Sequence, residues 1–177
     1  MAIRPFRSER RPAPLHTCES RQVERRVFVM APPRVVWAAL HDPSNVARLF
    51  PELTLGPAVP TWPAAAAVRS GRARLGLLRD DATVESLEAR PLTSFRVRVS
   101  GRAFASEWRW RLEPRAGGTR VVHDAVLEPG DRIAAWLIRL GRDSLSDRVE
   151  AHLLALKEVA EGQRAIDAGP PRGGPPA

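Results

Sequence analysis

The sequence predicts an α+β domain: an antiparallel sheet covered on one face by a long C-terminal helix, with two short helices inserted after the first strand. Three observations predict it. The stretch Val27 to Leu53 holds the end of a strand and two short helices in immediate succession; five later segments are strand-like, most with apolar and polar residues alternating, and are joined by short turns; and Asp131 to Gly162 carries an apolar stripe near 3.6-residue spacing. Short turns between alternating strands leave only antiparallel pairing. One-sided alternation then requires something to cover the apolar face, and the C-terminal helix is the element long enough to do it.

The elements follow in order. Val27 and Val29 end the first strand, and Ala31-Pro32-Pro33 breaks it with a proline where a first helical turn tolerates the missing N–H. Val36, Trp37 and Leu40 recur at helical spacing. Asp42-Pro43 supplies a carboxylate cap and a first-turn proline for the second helix, whose apolar side is Val46, Leu49 and Phe50 and which Pro51 ends. Glu52 to Val59 is a short strand, and the prolines from Pro57 to Pro63 around Trp62 make an edge or a loop. Ala67 to Leu78 alternates, with Ala73, Leu75 and Leu77 on one parity and Arg72 and Arg74 on the other; Asp80-Asp81 is expected to turn the chain into a strand from Ala82 to Ala89. There Val84 and Leu87, three apart, require a bulge or an exposed leucine.

Alternation is cleanest further on. Phe95, Val97 and Val99 face inward from Thr93 to Ser100; Phe104, Ser106, Trp108, Trp110 and Leu112 share a face from Phe104 to Glu113; Val121, His123, Ala125 and Leu127 share one from Thr119 to Glu128. The helical stripe comprises Ile133, Trp136, Leu137, Leu140, Leu145, Val149, Leu153, Leu156 and Ala160. At about 1.5 Å per residue it outruns a ten-residue strand, so a break at Gly141 to Asp143 is expected, with Asp143 recapping. Residues 1–20 lack periodicity and read as a disordered arm. Residues 163–177, rich in Pro, Gly and Ala, read as a disordered tail, which leaves a domain over 21–162.

Composition narrows the function classes. The chain has 177 residues, 44% of them apolar, enough for one domain with its own core. Of 28 basic residues one is lysine, Lys157, leaving 27 arginines; the skew reads as a GC-rich coding bias, so the net charge of +8 speaks to loose attraction for anions rather than to a specific partner. Cys18 is the single cysteine, which excludes an intrachain disulfide. With neither a signal-like apolar run nor a membrane-length segment, a cytoplasmic, soluble protein is expected.

The run from "APPRVVWAALHDPSNVARLFPEL" through the strands to "GTRVVHDAVLEP" and "LLALKEVAE" resembles the SRPBCC superfamily, the START-like or polyketide cyclase/dehydrase group, over nearly the whole ordered region. The resemblance implies a helix-grip fold: a curved antiparallel sheet wrapped around the long helix, with a mostly apolar cavity between them. It also implies a small hydrophobic or amphipathic ligand, lipid-like in character, or alternatively a polyketide cyclase/dehydratase type of enzyme working in the same cavity. The inward parity would line it with Phe95, Val97, Phe104, Trp108 and Trp110, and the helix with Trp136 and Leu140. Trp108 and Trp110, two apart, present adjacent rings. The plainer reading of these aromatics is core, as it is for Trp37.

His123 is the inward-facing group that titrates near neutral pH, and Ser106 could add a hydroxyl; these are the catalytic candidates. A satisfied structural histidine is the plainer alternative, because parity alone assigns His123 no carboxylate partner. Glu85 reads as surface. His16, His41, His123 and His152 are too scattered for a metal site, and no Walker or dinucleotide motif or nucleophile elbow occurs, so no cofactor is expected. Arg72, Arg74, Arg96, Arg98, Arg109, Arg111 and Arg120 fall on the solvent face with Glu107, Glu113, Asp124 and Glu128 among them. Cross-strand ion pairs are expected there rather than a basic patch for nucleic acid or an anionic membrane surface, since the acidic residues share the face and no aromatics interleave to stack bases.

Overall fold

The computed structural model describes residues 20–57, 62–140 and 144–167. Seven antiparallel strands form one curved open sheet: β1 (Arg21–Val29), β2 (Leu53–Leu55), β3 (Val68–Leu75), β4 (Leu78–Arg90), β5 (Ser94–Ser100), β6 (Phe104–Arg115) and β7 (Gly118–Pro129). Their order across the sheet is β1-β7-β6-β5-β4-β3-β2. Between β1 and β2 lie α1 (Pro33–His41), a 3₁₀ turn (Pro43–Asn45) and the single-turn α2 (Val46–Leu49); α3 (Arg132–Arg139) and α4 (Leu145–Asp167) follow β7. This is the helix-grip arrangement. α4 lies over β1 and β7 and packs against α1 and α2, which leaves the β2–β3–β4 edge uncovered by it.

Local chemistry accounts for the boundaries. Pro33 starts α1, and Asp42 caps the 3₁₀ turn, its Oδ1 accepting from the Ser44 N–H at 2.8 Å. Asp131 caps α3 in the same way, accepting from the Ala134 N–H at 2.7 Å. Before α4, Ser144 and Asp147 exchange bonds reciprocally: the Ser144 N–H donates to Asp147 Oδ2 at 3.0 Å and the Asp147 N–H donates to Ser144 Oγ at 3.2 Å, a capping box. Those bonds hold the Asp147 carboxyl below its ordinary range.

Several sequence expectations are corrected. The β3–β4 turn is at Gly76-Leu77, not Asp80-Asp81: Leu75 pairs with Leu78, and Gly76 takes φ 64°, which a tight two-residue hairpin needs and glycine supplies at no steric cost. Asp80 and Asp81 are therefore strand residues. Leu77, at the hairpin tip, is 61% exposed rather than inward. The bulge expected near Leu87 is present, as a register shift between Ser86 and Glu88. α4 runs to Asp167, past the expected boundary at Gly162. Residues 1–19 of the expected arm, 168–177 of the expected tail and the expected cap Asp143 lie outside the described residues.

The largest correction concerns α3. It sits beside β4 and β7 and buries Ala134, Ala135 and Ile138, because small side chains let the helix approach the sheet closely. Ile133, Trp136 and Leu140, expected in the core stripe, face outward at 69%, 59% and 47% exposure. The core stripe is carried by α4 instead, through Val149, Leu153, Leu156, Val159 and Ala160. The outer sheet face carries ion pairs as expected: Arg111 meets Glu24 at 2.9 Å and Asp124 at 3.2 Å, Arg96 meets Glu107 at 3.5 Å, and Arg120 meets Glu113.

Candidate functional site

The site grows from the pleat of β6 and β7. Ser106, Trp108 and Trp110 project inward from β6, and the register sets Trp110 opposite His123 and Trp108 opposite Ala125. Trp110 stacks on the His123 ring at 3.6 Å between centroids and 10° between planes, and Phe50, delivered by the end of α2, stacks on Trp108 at 5.4 Å. His152 of α4 descends onto this group, 5.1 Å from Phe50 and 5.2 Å from Trp108 between ring centroids.

A chain of polar contacts crosses this apolar surrounding. His123 Nδ1 lies 3.2 Å from the Arg109 carbonyl oxygen, His123 Nε2 lies 3.3 Å from His152 Nδ1, and His152 Nε2 lies 2.7 Å from Glu52 Oε1. Glu52 is 8%, His152 3% and His123 0% exposed. Proton positions follow from donor logic. A carbonyl only accepts, so His123 carries its proton on Nδ1. Burial holds the His123 ring well below its ordinary pKa, and the charge that His152 can bear beside it pushes the same way, against a smaller upward pull from the Arg109 carbonyl; the ring is neutral. His123 Nε2 therefore accepts, and His152 Nδ1–H donates to it. That leaves His152 Nε2 facing the Glu52 carboxyl oxygen. The two atoms touch without the alignment of a hydrogen bond, so both stay buried without a hydrogen-bond partner.

This junction forms the wall of a cleft of about 640 Å³ between the β2–β3–β4 edge and the α3–α4 side, lined by Glu52, Arg74, Leu77, Leu140, Arg148 and His152 among others. Glu52, Arg148 and His152 also border a void of about 10 Å³ farther in, beside Ser106 and Trp108. The cleft thus narrows toward the core and stops at the aromatic layer. Arg74 on β3 and Arg148 on α4 bring cationic side chains to its two walls, while Asp147, also at the rim, is committed to the Ser144 cap.

The residues singled out from sequence divide accordingly. Trp108, Trp110 and His123 come together. Ser106 is beside them, its hydroxyl donating to the Val126 carbonyl at 2.7 Å and accepting from Trp108 Nε1 at 2.8 Å. Val97 and Phe104 are buried core. Phe95 belongs to a separate cluster, 4.4 Å from His41, 5.9 Å from Trp62 and 6.4 Å from Trp37 between centroids. Leu140 stands at the cleft rim, and Trp136 lines no interior surface because α3 turns it outward. Sequence reasoning missed Glu52 and His152. Glu52 is the residue after the helix-ending Pro51, and His152 stands beside Val149 and Leu153 on the core stripe of α4, a signal legible only once the stripe is known to face β6 and β7.

Among the described residues no group of three or more His, Cys, Asp or Glu side chains is arranged to hold a metal ion, and no helix is long and apolar enough to cross a membrane.

Residues 20–161 match the family described as polyketide cyclase / dehydrase and lipid transport. No curated protein matches the sequence. Among solved structures, the chain is similar in fold to the Zhui aromatase/cyclase from Streptomyces sp. R1128, at 19% identity over 85% of this chain and 99% of that one with a TM-score of 0.64. A protein from Thermus thermophilus aligns at 22% identity over 81% and 99% of the two chains with a TM-score of 0.63. A norcoclaurine synthase point mutant of Thalictrum flavum, solved with a transition-state analogue, aligns at 8% identity over 84% and 99% with a TM-score of 0.61.

Proposed function

Because the chain belongs to the polyketide cyclase/dehydrase and lipid transport family, we propose that it binds a small amphipathic molecule with an acidic end in the cleft between the β2–β3–β4 edge and α4. The single observation that carries this reading is the shape and lining of that cleft: about 640 Å³, apolar at Leu77 and Leu140, cationic at Arg74 on its β3 wall, with Glu52 and Asp147 also at its border, and narrowing toward Trp108. The interior that would otherwise hold a wholly apolar ligand is filled by Phe50, Trp108, Trp110 and the two histidines. An acidic head at Arg74 with an apolar body along the leucines matches the lining better than a neutral hydrocarbon does.

Titration with a dansylated fatty acid tests the reading. Saturable binding is expected, weakened about tenfold in Arg74→Ala by loss of one charge-assisted contact. Probe uptake that fails to saturate, or that is indifferent to Arg74→Glu, overturns it.

A second reading is favoured by the buried 2.7 Å contact of Glu52 with His152 at the cleft wall. A cyclase or dehydratase needs a group that gives or takes a proton beside the substrate, and the fold neighbour from Streptomyces is an aromatase/cyclase. In that reading His152 is the acid/base at the cleft wall, with Glu52 holding its proton and His123 fixing its tautomer. Turnover lost in His152→Ala with the dansyl probe still bound supports catalysis; turnover unchanged in that variant removes it.

A further inference from the structure

A helix that buries its alanines and exposes its tryptophan has its apolar face directed at something outside the fold. On α3 the buried side is Ala134, Ala135 and Ile138, while Ile133, Trp136 and Leu140 are 69%, 59% and 47% exposed. At about 100° per residue these three fall within about 60° of one another, on the side opposite the buried residues. Leu77, 61% exposed, extends the patch from the β3–β4 hairpin, whose tip is tied to α3 by the Leu77 N–H donating to the Leu137 carbonyl at 3.1 Å. Four large apolar side chains on two adjoining elements exceed the scattered single exposures normal for a soluble surface.

The charges around the patch select the occupant. Arg132 and Arg139 are exposed on α3 along the side next to Trp136, and Arg74 and Arg79, paired across the hairpin stem, are exposed below Leu77. A second copy of this chain seated face to face would bring these arginines against their own kind. An anionic bilayer offers the complement: phosphate-level negative charge for the guanidinium groups and an apolar boundary for Ile133, Leu140 and Leu77, with tryptophan at the depth it prefers. We infer that the α3 face and the β3–β4 hairpin tip dock this protein onto anionic lipid surfaces. Leu77 and Leu140 also line the cleft, so docking there sets the cleft mouth against the membrane. The inference does not depend on what the cleft holds.

Co-sedimentation of the full chain with vesicles tests it. Binding is expected to phosphatidylcholine vesicles containing about 30% phosphatidylglycerol and not to phosphatidylcholine alone, and to weaken as salt is raised. Trp136→Asp is expected to lower binding to the anionic vesicles at least tenfold, and the double variant Arg132→Gln with Arg139→Gln to lower it several-fold, with far-ultraviolet circular dichroism and dansyl-probe binding unchanged in both variants. Because these positions are solvent-exposed, the variants retain the fold that the comparison needs. Anionic vesicles bound equally by Trp136→Asp and the parent would assign binding to another surface and overturn the inference, as would absence of binding by the parent. A parent dimer that Trp136→Asp converts to a monomer would assign the face to a second copy and overturn it too. Vesicle binding with no probe binding would leave docking standing and remove the cleft reading; the reverse would do the opposite.

Discussion

Among the described residues two aromatic–histidine clusters, one half-buried at α1 and one fully buried between β6 and β7, differ most in what the far nitrogen of the histidine meets. In the first, His41 lies against Trp37 at 4.1 Å and Phe95 at 4.4 Å between centroids; its Nδ1 bonds the Trp37 carbonyl at 2.8 Å within α1, and its Nε2 is buried with no partner. In the second, His123 lies against Trp110 and bonds the Arg109 carbonyl through the equivalent nitrogen, but its Nε2 continues to His152 and from there to Glu52 at the cleft wall. Burial lowers the pKa of both rings. The difference is one of connection: the His41 ring ends at an unpartnered nitrogen, whereas the His123 ring is linked through His152 to the carboxyl group of Glu52 at the cleft wall.

One substitution made in both clusters breaks or sharpens this contrast. His123→Leu removes the acceptor for His152 Nδ1–H and the donor for the Arg109 carbonyl, leaving buried polar groups unpaired; urea unfolding should show a loss of about 2–4 kcal/mol. If the loss is negligible, the chain of contacts is not formed. The next effect is on pH dependence. The folded pKa of His123 lies well below 6.5 and that of His41 lies below it as well. The unfolded chain therefore binds protons that the native state does not once the pH falls through about 6.5, so stability is fully present above that value and falls as the pH drops below it. Melting midpoints between pH 7.5 and 5 should decline in the parent and less steeply in His123→Leu. Midpoints independent of pH in that window would mean that neither ring is held neutral. The smallest effect belongs to His41→Leu, which removes one helix carbonyl contact together with an unpaired buried nitrogen and should change stability by less than about 1 kcal/mol in either direction.

The outer surface teaches a similar lesson through arginine. Some arginines are neutralised locally, as Arg120 is by Glu113, Arg111 by Glu24 and, on β3 and β4, Arg72 by Asp81, whereas Arg96 on β5 stands opposite Arg109 on β6. On β3 and β4, Arg74 stands directly opposite Arg79. Like charges facing across a ladder are destabilising, and here they flank the cleft and the exposed α3 face, where an anion would relieve them.

Strand periodicity makes the inner face of β5, β6 and β7 legible in the sequence, so Phe95, Val97, Trp108, Trp110 and His123 are all expected inside, and buried they are. The proline and aspartate punctuation of α1 and of the 3₁₀ turn is legible for the same reason: caps and first-turn prolines act within a few residues. The hairpin at Gly76 is not legible, because a turn of two residues inside an apolar run leaves the alternation nearly intact. Nor is the direction of α3, since a stripe at 3.6-residue spacing shows that a helix has an apolar face but not whether protein or something outside it covers that face. Glu52 and His152, 100 positions apart in number, become partners only because α4 crosses the sheet at the end of α2. Local periodicity and capping chemistry are written within a turn or a strand and can be read there. The junction of Glu52, His152 and His123, the cleft beside it and the exposed tryptophan of α3 depend on which elements meet, and that is decided by packing across the whole domain.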